Sequence, residues 1–161
     1  LYASLPKLTN LIKHTPDEAQ DFYNKIQKKV VTAISWVMLI VVAFSPIVSW
    51  LWIGNFNPNY WLFVSFIAVG FLINTIGAAA YNLGLATGIM KFNIIVSIMS
   101  LIFLYIFSYI FSEVWQVHGF VGGVALALGI GGMAIKRLNE RLLPSLEVLS
   151  LIRKESNVKR K

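Results

Sequence analysis

The chain has 161 residues, of which 57% are hydrophobic and 13% charged; its net charge is +7 and its mean hydropathy +0.70. A soluble domain is about 45–50% apolar and about 25% charged, so this composition excludes an ordinary soluble globule and places the chain in the membrane class. With no cysteine, disulfides and thiolate–metal sites are excluded as well.

The first segment, "LYASLPKLTNLIKH", carries Leu1, Leu5, Leu8, Leu11 and Ile12 at helical spacing. It begins inside an amphipathic pattern, and the expectation is a piece of a longer or processed protein. A second helix start follows in "TPDEAQDFYNKIQKK". Thr15 suits the N-cap, Pro16 the first helical position, and Asp17 with Glu18 the positive helix end. This link is expected to lie along the membrane surface before the chain turns in.

Four apolar runs then approach the roughly 20 residues that a bilayer crossing needs. They extend over about Val30 to Ile53, Tyr60 to Ala86, Phe92 to Phe111 and Phe120 to Ile135. The fourth is short, and a partly inserted helix pair is its alternative. Pro46, flanked by Ser45 and Ser49, sits inside the first run, where proline removes a hydrogen bond and bends a helix. Such a bend serves either conformational change or no function. After the fourth run, Leu142, Leu146, Leu149 and Ile152 recur on one face of an expected interfacial helix, bent near Pro144. The tail "RKESNVKRK" is expected to be disordered. The organisation is therefore an amphipathic link over residues 1–29, a four-span membrane domain over 30–137 and a basic interfacial tail over 138–161.

Charge gives the orientation. Lys7, Lys13, Lys25, Lys28 and Lys29 precede the first run, Lys91 lies between the second and third, and the other eight Lys and Arg follow the fourth. The intervening loops "GNFNPNY" and "SEVWQVHG" contain neither. Basic residues collect on the cytoplasmic side of membrane proteins, so both ends of this chain are expected there. The same distribution accounts for the positive charge through lipid headgroups, and nucleic acid is not needed as a partner. Trp50, Trp52, Tyr60, Trp61 and Trp115 cluster at the opposite interface, where amphipathic rings sit well.

Within the spans, Ala80, Gly84 and Gly88 are four apart, as are Gly119 and Gly123, then Ala125 and Gly129. Small residues at this spacing let helices approach closely. Asn74 and Thr75 lie near the middle of the second run, where an amide needs a partner. Two uses are open, an interhelical hydrogen bond or substrate contact. Tyr81 follows on the stripe 74, 78, 81, 85. No span carries an ionisable residue near its centre, and His14, His118 and Glu113 have no catalytic partner at a recognisable spacing. No catalytic residue, metal ligand or cofactor site is therefore assigned, and an enzyme is not expected.

The stretch "NTIGAAAYNLGLATGIMKFNIIVSIMSLI" resembles the Wzx-type polysaccharide flippases of the MOP (MATE-like) exporter superfamily. Its turn, Ala86, Gly88 and Lys91, is similar to the family's short cytoplasmic turn between apolar spans. "LYASLPKL", "SPIVSWLWIGNF" and "VHGFVGGVAL" resemble neighbouring helix ends, so the likeness covers about residues 1 to 137. It implies an all-α integral membrane fold, the C-terminal third of a twelve-helix transporter. It implies alternating-access flipping of an undecaprenyl-diphosphate-linked glycan across a bacterial cytoplasmic membrane. The lipid-linked glycan and the remaining helices of the parent transporter would then be the partners, and Asn74, Tyr81 and Lys91 the substrate contacts. A drug or peptidoglycan-precursor exporter of the same superfamily, and a self-standing four-helix accessory subunit, are the alternative functions.

Overall fold

The computed structural model describes residues 4–141, and the residues described are almost all helical. Five helices follow in chain order: α1 (Leu5–His14), α2 (Pro16–Ile53), α3 (Pro58–Thr75), α4 (Ala78–Thr87) and α5 (Lys91–Glu140). Three helical stretches are long and apolar enough to cross a membrane, namely Glu18–Ile53, Pro58–Thr87 and Lys91–Glu140.

The expected turn between the amphipathic link and the first span is absent. Residues 16–53 form one continuous helix. The physical reason is that no glycine or proline interrupts the sequence between Pro16 and Pro46. The helix also passes through Pro46. Proline cannot donate to the Val42 carbonyl, and the Ser45 hydroxyl donates to that oxygen instead, at 2.8 Å. At its start, the Thr15 hydroxyl donates to the Glu18 carboxylate at 3.5 Å and caps no backbone N–H.

Gly54 ends α2 in the left-handed conformation, at φ 79°. The next turn is tied by two side chains. Ser49, fully buried, donates to the Asn55 carbonyl at 3.2 Å and accepts from the Asn57 N–H at 2.9 Å. The Asn57 side chain in turn accepts from the Asn59 and Tyr60 N–H groups, capping α3.

α5 is not a rod. Fifty helical residues would reach about 75 Å, far beyond a hydrocarbon core of roughly 30 Å. The backbone leaves helical geometry at Trp115 (φ −122°, ψ 18°) and Gln116 (φ 51°, ψ −130°), and α5 folds back into two arms, 91–114 and 117–140. Glycines on the second arm zip it against the first. A Cβ on Gly123 would lie 2.6 Å from the Phe107 carbonyl, one on Gly119 would collide with the Phe111 carbonyl, and Gly131 faces Ser100. The pairs 119–111, 123–107 and 131–100 run in opposite directions, so the arms are antiparallel. The expected loop "SEVWQVHG" is thus reduced to a two-residue reversal, and the second arm is longer than the run seen in the sequence.

α3 runs parallel to that second arm. Gly70 meets Ala125, Ile73 meets Gly129, and Gly77 meets Gly132. At the basic end, Leu8 of α1, Ala19 and Tyr23 of α2, and Ala79, Ala80 and Leu83 of α4 form a small buried cluster. Tyr23 also donates to the Glu140 carboxylate at 2.8 Å, fastening α2 to the end of α5. Trp50, Trp52, Trp61 and Trp115 are all exposed at the opposite end. Gly88 departs from the packing expected of it. It is exposed and closes α4 at φ 75°, a conformation that favours glycine for its missing Cβ. The expected interfacial helix at 142–161 lies outside the described residues.

Candidate functional site

The second apolar run, expected as one helix, continues over Pro58–Thr87 but tightens between α3 and α4, where Ile76 and Gly77 keep right-handed helical dihedrals. The Ile76 and Gly77 N–H groups reach back only three residues, to the Ile73 and Asn74 carbonyls, at 3.1 and 2.9 Å. This tightened turn lies where Gly77 touches the second arm of α5. A Cβ on Gly77 would sit 2.5 Å from the Gly132 carbonyl oxygen, and one on Gly132 would collide with the Asn74 backbone. The Ile76 carbonyl accepts instead from the Gln27 side chain of α2, at 2.7 Å. Sequence reasoning missed Gln27, which reads as one more polar residue in a basic link.

Beside this turn lies a groove of about 320 Å³ lined by Phe71, Asn74, Thr75, Ala78, Tyr81 and Asn82 among others. Asn74 and Tyr81 thus share one groove, as their common stripe implied. Asn74 is half-buried, and its side chain makes no hydrogen bond among the described residues. The neighbouring polar groups are occupied within their own helices, Thr75 donating to the Phe71 carbonyl and Asn82 to the Ala78 carbonyl. Among the described residues, the Asn74 side chain thus forms no interhelical hydrogen bond. Lys91 stands apart. It is exposed at the start of α5 with its ammonium 5.2 Å from the Phe92 ring, and it does not line the groove.

Below the groove sits an amide pair that the sequence did not single out. Asn93 (2% exposed) and Asn139 (fully buried) come from the two arms of α5. Asn139 Nδ2 donates to Asn93 Oδ1 at 2.6 Å, and Asn93 Nδ2 donates to the Tyr81 carbonyl at 3.0 Å. The pair rests on Gly84, whose missing side chain leaves the space both amides occupy. Asn139 Oδ1 has no partner among the described residues. The clasp therefore holds the backbone of Tyr81, and with it one wall of the groove. Among the described residues, no group of three His, Asp or Glu is arranged to hold a metal ion.

No protein-family model, curated protein or solved structure matches this chain.

Proposed function

We propose that the chain is a membrane-embedded part of a transporter that moves a polar, lipid-attached solute, with the α3–α4 turn as a point of solute contact. The observation that carries this reading is the tightened turn of the helix, with Asn74, whose side chain makes no hydrogen bond among the described residues, and Tyr81 on one open groove. A short tightened stretch inside a long helix often marks a functional hinge, and in membranes its freed backbone groups are satisfied by neighbouring helices. In this reading α2, α3 with α4, and the two arms of α5 make four passes, and the basic ends face the cytoplasm. The resemblance to Wzx-type flippases supplies the substrate class, an undecaprenyl-diphosphate-linked glycan, and the setting, the C-terminal third of a twelve-helix transporter in a bacterial inner membrane. Asn74 and Tyr81 meet its polar part, and Lys91 lies where an anionic group would pass at the cytoplasmic rim.

The test is glycan export in a strain whose chromosomal copy is deleted and replaced by variants. Asn74→Leu and Tyr81→Leu lower export and leave glycan on the inner leaflet, at unchanged membrane levels of the protein. Normal export with both variants at equal levels removes the groove from the mechanism. A deletion strain that exports normally removes the glycan reading altogether. The second reading, a four-helix accessory subunit, is favoured by the broad apolar face of α2, which has no partner among the described residues.

A further inference from the structure

We propose that the outward face of α2 holds one anionic phospholipid, with its phosphate among Lys25, Lys28 and Lys29 and its chains along the apolar surface above them. The three lysines, with Thr32 and Ala33, line a recess of about 420 Å³. The inference needs α2 to cross the membrane and is independent of the transport reading.

Three observations converge on this occupant. The lysines face away from the protein. Tyr23, only 1% exposed, marks the inner side of α2, and at 3.6 residues per turn the lysines lie about 140° to 240° around the axis from it. They also make no ion pair among the described residues. Among the described residues the one ion pair is Lys136 with Glu140, and Asp21, one turn before Lys25, makes none. Finally, the recess opens directly onto the apolar surface of the same helix. Trp36, 63% exposed, stands one turn above Thr32, followed by exposed Leu39, Ile40 and Phe44. Three ammonium groups and a hydroxyl at the foot of an apolar face with an indole above them match a phosphodiester joined to hydrocarbon chains. An acidic peptide would satisfy the lysines and leave the apolar surface above them unused.

The experiment is native mass spectrometry of the full chain in detergent, titrated with phosphatidylglycerol or phosphatidylcholine. One phosphatidylglycerol is expected to bind ahead of any phosphatidylcholine. Each lysine beside the phosphate is worth about fivefold in affinity, so Lys25→Gln/Lys28→Gln/Lys29→Gln weakens binding more than tenfold. The Arg triple variant at the same positions retains it, which separates lost charge from lost fold. A control that removes equal charge elsewhere, Lys7→Gln/Lys13→Gln/Lys136→Gln, also retains it. Equal binding of the two lipids, or equal loss in the triple variant and the control, overturns the proposal. Displacement of the lipid by millimolar inorganic pyrophosphate overturns it too, since the recess would then recognise phosphate without the chains.

Discussion

Gly84→Ala should reverse its sign of effect when the amides above it are removed. In the native chain a Cβ at position 84 would sit 2.8 Å from Asn93 Nδ2, 2.9 Å from Asn93 Oδ1 and 3.0 Å from Asn139 Oδ1. Neither amide has room to retreat, since both are buried. The methyl therefore displaces the clasp and breaks two interhelical hydrogen bonds, those of 2.6 and 3.0 Å. Each is worth roughly 0.6 to 2 kcal/mol in a membrane. Alanine returns up to about 1 kcal/mol of helix propensity relative to glycine. The net expected loss is about 0.2–3 kcal/mol, its upper part in the range seen for overpacked cores. In an Asn93→Ala/Asn139→Ala background the carboxamides are gone, only the propensity gain remains, and Gly84→Ala becomes neutral or stabilising by up to about 1 kcal/mol. The assay is reversible unfolding of the four proteins in mixed micelles, followed by helical circular dichroism. Equal destabilisation in both backgrounds would refute the reasoning, because the collision would then lie with something other than the amide pair.

Three further outcomes are expected. In Ser100→Cys/Gly131→Cys, a disulfide forms on mild oxidation, since the Ser100 Cβ lies 3.3 Å from a Cβ built on Gly131. A continuous helix would hold the two positions about 46 Å apart and no bond would form. Ser45→Ala leaves the Val42 carbonyl unpaired beside Pro46 and destabilises by about 1–3 kcal/mol. Adding Pro46→Ala restores a backbone donor and removes most of that loss, so persistence of the loss in micelle unfolding would exclude the hydroxyl as the substitute donor. For orientation, Asn55→Cys reacts with an impermeant thiol reagent in intact cells and Met90→Cys does not, both positions being exposed in the fold. The opposite labelling pattern inverts the topology.

Much of the architecture was legible one residue at a time. Long apolar runs, lysines confined to particular segments and a tryptophan cluster all follow from which groups tolerate hydrocarbon, and that depends on composition within a segment. The apolar helices and the common end of the basic residues came from there. So did the glycines at 119 and 123, because a missing side chain has the same meaning wherever another backbone approaches. Asn74 and Tyr81 could be placed together because helical periodicity survives a single tightened turn.

What the sequence could not fix depends on partners far along the chain. The tightened turn at Ile76–Gly77 has no proline to announce it and is completed by Gln27, 49 residues away, which occupies the freed Ile76 carbonyl. Asn93 and Asn139 are 46 residues apart and become a pair only because α5 folds back at Trp115 and Gln116. Gly84 reads as packing in the sequence, and only the fold shows that it makes room for two amides. The difference is physical. Burial in lipid is a property of each segment alone, whereas a polar group inside a membrane must find its partner in three dimensions, and only the folded chain selects which one it finds.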